Sequence, residues 1–161
     1  MKTLKAKGRF DSIDRKLLDR AQEEFPLTDR PWQSMGMDLG LTEREVMDRL
    51  NRLSKEGIIR KIGPALDARR VGLGASTLIA MKVPEGRVQN VAKMISKHRE
   101  VSHCYQREHE YNLWFTIAAR DERELEKTLE GIRRGADVGE DDVLNLPSVR
   151  TFKIDVRFQL T

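Results

Sequence analysis

"VSHCYQREHEYNLWFTIAA", residues 101–119, reads as two strands joined by a tight turn around Glu108 to Glu110. Side chains alternate between the faces of a strand. On the first strand this puts His103, Tyr105 and Arg107 on one face and Ser102, Cys104 and Gln106 on the other. On the second, Tyr111, Leu113, Phe115 and Ile117 oppose Asn112, Trp114 and Thr116. Leu113, Phe115 and Ile117 are the more apolar set, so they are expected to meet the core. Asn112 and Trp114 then face outward, with the histidine row beside or beneath them, and His109 falls at the turn.

Working outward, each flank of this hairpin carries an amphipathic helix. One covers residues 86–98, with Val88, Val91, Met94 and Ile95 inward; the other covers 122–134, with Leu125, Leu129 and Ile132 inward. "GASTLIAMKV" (74–83) precedes as a strand, and "SVRTFKIDVRFQL" (148–160) alternates as a last strand after an acidic loop over 135–147. The order β-α-β-β-α-β predicts a ferredoxin-like domain. Helices cover one face of such a sheet, so the other face calls for a partner or a ligand.

The first half follows a different plan. Asp11 or Ser12 can cap a helix through Leu17 and Leu18 that ends before Pro26, and Pro31 can open a second that stops at Gly40. Thr42 followed by Glu45 is a capping box for a third, whose stripe is Val46, Leu50 and Leu53 and whose end is Gly57. With "IIRKI" (58–62) as a short strand, this is a winged helix-turn-helix. The expected class is α+β: a winged helix-turn-helix over 1–63, a basic linker over 64–73 and a ferredoxin-like ligand-binding or catalytic domain over 74–161.

The 161 residues are 39% hydrophobic and 35% charged, which suits small domains and an obligate partner. No apolar run reaches the ~20 residues needed to span a bilayer, and "MKTLKAKGRF" lacks the apolar core of a secretory signal. A cytoplasmic protein without membrane attachment is expected. Cys104 is the single cysteine, which excludes a disulfide framework and a cysteine-based metal cluster; it reads as a small buried hydrophobe.

A net charge of +4 admits nucleic acid or a polyanionic small molecule as ligand. The would-be recognition helix argues against DNA. Arg44, Arg49, Arg52 and Lys55 are balanced by Glu43, Glu45, Asp48 and Glu56, and its first turn, the part that meets base edges, is acidic. The cation surplus lies just beyond, in Arg60, Lys61, Arg69 and Arg70 against Asp67, where it can hold phosphates or carboxylates or be a solvated wing.

The hairpin concentrates chemistry. Histidine exchanges protons near neutral pH or ligates a metal. Arg107 offers a fork for a carboxylate, and Tyr105, Tyr111 and Trp114 offer flat surfaces with polar tips. The set suits a large, flat, polycarboxylated ligand, although each residue taken singly also serves as strand packing.

The whole plan resembles the Lrp/AsnC family. Two stretches, "IIRKIGPALDARRVGLGASTLIAMKVP" (58–84) and "VSHCYQREHEYNLWFTIAA" (101–119), are similar to the siroheme decarboxylases of the alternative heme pathway. The resemblance implies loss of CO2 from the C12 and C18 acetate arms of siroheme to give 12,18-didecarboxysiroheme. It implies His103 and His109 as acid candidates, with either a possible ligand of the substrate iron. Tyr105, Arg107, Tyr111, Asn112, Trp114, Lys61, Arg69 and Arg70 are the implied substrate-binding residues. No cofactor beyond the iron-tetrapyrrole substrate is implied. The partner is a related second subunit in a heterodimer, and no specific DNA is expected. The alternatives are a DNA-binding regulator responding to heme or an amino acid, and a silent subunit that completes its partner's site.

Overall fold

A computed structural model of the chain describes residues 10–23, 25–155 and 157–161. The backbone divides into two compact units. One runs up to Pro64 and includes Lys153–Thr161; the other is Ala65–Phe152.

The first unit has three helices, α1 (Ser12–Glu23), α2 (Pro31–Met37) and α3 (Glu43–Lys55). Asp11 settles the start of α1: its Oδ1 accepts from the Asp14 amide at 2.8 Å, while Asp14 Oδ2 accepts from the Asp11 amide at 3.1 Å. The capping box of α3 forms as expected, with Glu45 N donating to Thr42 Oγ1 at 3.3 Å and Thr42 N to Glu45 Oε2 at 2.8 Å. Leu17, Met35, Val46 and Leu50 make the core, with Trp32 and Ile59 packed against it. Gly36 is required where α2 turns into α3, because a Cβ there would stand 2.5 Å from the Leu41 carbonyl oxygen.

Asp14 is the one fully buried carboxylate of the described residues. It receives Arg49 at 2.7 Å and Arg52 at 2.6 Å, and Arg49 also reaches Asp11 at 2.9 Å. The expected wing strand over 58–62 is not formed among the described residues. A strand needs a ladder partner for its backbone groups, and the only backbone bonds recorded there run from Ile58 and Ile59 back to Leu53, continuing the end of α3.

The second unit is a four-stranded antiparallel sheet of order β2-β3-β1-β4, built from β1 (Ala75–Met81), β2 (Val101–Gln106), β3 (Leu113–Ala119) and β4 (Val143–Pro147). Helices α4 (Val88–Ile95) and α5 (Glu122–Ala136) cover one face, burying Ile79, Met81, Phe115 and Ile117 against Val88, Val91, Ile95, Leu125 and Ile132. Each such aliphatic or aromatic side chain contributes roughly 1.5–3 kcal/mol on burial. This is the ferredoxin-like order read from the sequence, with one exchange.

The last strand is not 148–160. It is β4, inside the segment expected to be an acidic loop. Leu144 and Leu146 pair with Ala80 and Leu78, and Asn145, on the inner side, accepts from Thr77 Oγ1 at 2.6 Å. The acidic turn Glu140–Asp142 and the polar Asn145 hide this strand from a periodicity reading. The connection from α5 to β4 is shorter than one from α5 to 148–160 would be, so closing it costs slightly less chain entropy. The described residues of 148–160 then run without regular structure, with Phe152, Ile154 and Phe158 85%, 82% and 73% exposed. The end of this segment returns to α1, where Gln22 exchanges two hydrogen bonds with the Phe158 backbone at 2.9 and 3.1 Å.

Candidate active site

The sheet face that no helix of its unit covers carries the hairpin's chemistry. Its register pairs Cys104 with Phe115, Tyr105 with Trp114 and Gln106 with Leu113. Cys104 and Phe115 point into the core, so Tyr105 and Trp114 stand side by side on the outer face. The choice left open by alternation is thereby decided: the histidine row lies beside Trp114. Burial pushes the Cys104 thiol up, against a weaker opposing hydrogen bond from Ser96, which disfavours the thiolate and makes this cysteine a packing residue.

His103, Tyr105, Arg107, Trp114, Thr116 and Leu78 line an open depression of about 350 Å³. Its walls are mostly apolar, which is the common character of a small-molecule site. The His103 and Tyr105 rings lie nearly parallel, with centroids 6.1 Å apart and planes 24° apart. The Arg107 guanidinium sits over the Trp114 ring at 5.8 Å, and Trp114 Nε1 donates to the Tyr111 carbonyl at 2.6 Å, fixing the indole. Among the described residues no carboxylate pairs with Arg107. A flat aromatic surface, a free guanidinium and an imidazole therefore converge on one opening.

The register also shows what alternation misses. Val101 pairs with Ile117 and Cys104 with Phe115, so β2 spends one residue more than β3 over that span. This bulge sets Ser102 and His103 opposite the single residue Thr116. Ser102, expected on the face opposite His103, is instead exposed beside it, and its Oγ lies 2.9 Å from His103 Nδ1 and 2.8 Å from Thr116 Oγ1. Thr116 was legible as a neighbour of Trp114; Ser102 was not, because a bulge leaves no mark in the residue pattern.

Other residues singled out by sequence lie elsewhere. His109 and Tyr111 are at the hairpin tip, where His109 Nδ1 accepts from the Tyr111 amide at 3.1 Å and the two rings stack at 6.1 Å. Asn112 is spent on structure: its side-chain amide donates to the Val83 carbonyl at 2.7 Å and accepts from the Val83 amide at 3.0 Å. Lys61, Arg69 and Arg70 are exposed. Asp67 Oδ1 accepts from the amides of Arg69 and Arg70 at 3.0 and 3.3 Å and leaves both guanidinium groups outward. A second concavity, of about 460 Å³, lies on the helical unit and is lined by Asp11, Glu45, Asp48, Arg49 and Arg52. Its two cations are already held by carboxylates, so it offers a ligand little.

Comparison with known proteins adds to this geometry. Residues 14–60 match the model of the siroheme decarboxylase NirDL-like helix-turn-helix domain, and residues 70–153 that of the AsnC-like ligand binding domain. The siroheme decarboxylase NirD subunit of Pseudomonas aeruginosa is 44% identical over 94% of this chain and 97% of its own length. The siroheme decarboxylase alpha subunit of Desulfovibrio desulfuricans is 40% identical over 94% of this chain and 85% of its own. Among solved structures, the siroheme decarboxylase NirDL superposes with a TM-score of 0.64 at 35% identity over 94% of this chain, which spans 48% of that longer one. A co-complex of NirDL with an iron-uroporphyrin III analogue gives 0.62 at 33% identity, over 88% of this chain and 47% of that one. The leucine response regulatory protein of Mycobacterium tuberculosis has a TM-score of 0.77 at 22% identity, over 92% and 98% of the two chains, a likeness of fold.

Proposed function

The chain belongs to the siroheme decarboxylase family, and from that premise we propose that it is a decarboxylase subunit, a carboxy-lyase, acting on the C12 and C18 acetate arms of siroheme to yield 12,18-didecarboxysiroheme. The observation that carries the reading is the convergence of His103, Tyr105, Arg107 and Trp114 on one open, mostly apolar depression.

An acetate arm on a pyrrole resists losing CO2 because the electron pair left behind has nowhere to go. Adding a proton to the ring carbon next to the one that bears the arm makes the macrocycle the electron sink. The Cα–carboxylate bond then breaks, its electrons enter the ring, and CO2 leaves. The exocyclic methylene takes up a proton while the ring carbon returns its own, so each arm consumes one proton and ends as a methyl group. A placed acid accelerates such a step by ~10²–10⁴-fold. His103 is the acid in this proposal, because it lines the depression whereas His109 stands at the hairpin tip. Tyr105 and Trp114 support the macrocycle face. Arg107 holds a carboxylate that is not lost, in ground and transition states alike. An open depression on one sheet face supplies one wall, and a related second subunit supplies the other; Leu78, Leu144 and Leu146, 37–43% exposed on the same face, are the apolar surface it would cover.

The helix-turn-helix is retained as a scaffold in this reading. Arg49 and Arg52 of α3 are committed to Asp14 and Asp11, so two of the helix's four cations are held within the unit and not offered to phosphate. In a gel shift against genomic fragments at about 150 mM salt, only non-specific binding on the order of 10⁻⁴–10⁻⁶ M is expected.

Anaerobic incubation with siroheme, of the chain alone and paired with a related subunit, tests the enzyme. The expected product has lost two CO2 by mass spectrometry. Unchanged siroheme in both incubations, together with a nanomolar operator that survives competitor DNA, would establish the regulator instead.

A further inference from the structure

We propose that Ser102 and Thr116 are positioning residues that hold His103 in the tautomer with its proton on Nδ1, so that Nε2 is the atom presented to the substrate. The inference rests on His103 being the proton donor of the reaction proposed above.

The argument starts from the bulge. In a regular strand, neighbouring residues point to opposite faces, and Ser102 could not reach the ring of His103 on the outer face. The extra residue between Val101 and Cys104 turns Ser102 outward too, and both then stand opposite Thr116. The result is a chain of three polar groups, Thr116 Oγ1, Ser102 Oγ and His103 Nδ1, with links of 2.8 and 2.9 Å. Bulges commonly re-aim a side chain beside an active site. Here the bulge also delivers the group that the side chain bonds to.

The direction of the bonds follows from what an acid must do. A protonated imidazole donates from both nitrogens. After Nε2 has given up its proton, Nδ1 still carries one. If Nδ1–H donates to Ser102 Oγ and Ser102 O–H donates to Thr116 Oγ1, every bond serves the ring both before and after transfer. No hydroxyl needs to rotate during the step. The opposite direction, with Ser102 donating to Nδ1, leaves a neutral ring whose one proton is on Nε2. Giving that proton up would form an imidazolate, so such a ring is a far weaker acid than the imidazolium. The partner of one ring nitrogen sets what the other can do, and in metal-binding histidines, where the same device occurs, losing such a partner lowers activity by about 10–100-fold.

The test uses the full chain labelled with ¹⁵N-histidine, with His103→Ala identifying the His103 signals. In the neutral ring of the wild type, Nδ1 is expected to give a pyrrole-like and Nε2 a pyridine-like nitrogen shift. Ser102→Ala should convert this to a mixture of tautomers and lower kcat for siroheme by about 10-fold, with KM nearly unchanged. Ser102→Thr, which keeps the hydroxyl, should restore both the single tautomer and most of kcat. Thr116→Val should shift both in the same direction by less. A Ser102→Ala protein that keeps the wild-type nitrogen shifts overturns the proposal, and a fall in kcat without a change in those shifts overturns it as well. The nitrogen shifts need no substrate. An inactive wild type would therefore count against the decarboxylase reading, whereas unaltered shifts in Ser102→Ala count against the hydroxyl chain alone.

Discussion

His103→Ala, assembled with its partner subunit, is expected to turn over siroheme about 100-fold more slowly or worse while still binding it, because a general acid contributes to the transition state and not to the ground state. Three observations converge on this residue: it lines the depression, its ring stacks on Tyr105, and its Nδ1 is already engaged by Ser102, which leaves Nε2 open. Steady-state kinetics and a substrate titration separate the possible roles. A proton donor loses kcat. A ligand of the substrate iron would instead shift the Soret band and weaken binding. A packing residue would lower thermal stability with neither signature. Arg107→Ala should act differently, raising KM with a smaller change in kcat, since a carboxylate clamp works throughout the cycle. His109→Ala should stay close to wild type, because His109 sits at the hairpin tip bonded to the Tyr111 amide. Near-wild-type decarboxylation by His103→Ala would remove the imidazole from the mechanism.

Asp14→Ala is expected to destabilise the helical unit by about 3 kcal/mol, the lower end of what breaking a buried ion pair costs. The Asp14 side chain is fully buried, whereas Arg49 and Arg52 are 26% and 32% exposed. The two guanidinium groups can therefore recover part of their hydration once the carboxylate is gone. Chemical denaturation followed by circular dichroism measures the change.

The same cluster predicts an acid limb. Burial alone would raise the Asp14 carboxyl, but hydrogen bonds from Arg52 and Arg49 outweigh it and hold the group below the usual aspartate range. The Asp11 carboxyl is likewise lowered, first by the Asp14 amide and then by Arg49. A carboxyl lowered in the folded state gives stability that is fully present above its unfolded value, near pH 4, and is lost as the pH falls toward the folded value. Wild-type stability should therefore drop below about pH 4, and Asp14→Asn should drop less steeply there. Equal acid slopes for the two proteins would show that the cluster does not govern this limb.

Much of the architecture was legible in the chain itself. The capping box at Thr42 and Glu45, the stripe Val46–Leu50–Leu53, and the alternation Leu113–Phe115–Ile117 each depend on residues close in sequence, and each stands where its period puts it. The row His103, Tyr105, Arg107 and its neighbour Trp114 were found the same way, by counting along a strand. What the sequence could not supply depends on partners distant in the chain. The closing strand is Val143–Pro147 and not 148–160, because β1 has one free edge and the earlier segment reaches it. Asn112 looked like a ligand-facing amide until Val83 came into hydrogen-bond range of both its ends. The cations of α3 were read as balanced by the acids of their own helix, and only the fold shows that the buried Asp14 of α1 claims two of them. Ser102 changed face because the ladder between β2 and β3 takes up one residue more on one side than on the other. Periodicity is a local property and fixes which residues share a face; register, edge occupancy and ion pairing are settled only when two remote stretches meet, and in this protein that meeting decides what His103 Nδ1 is bonded to.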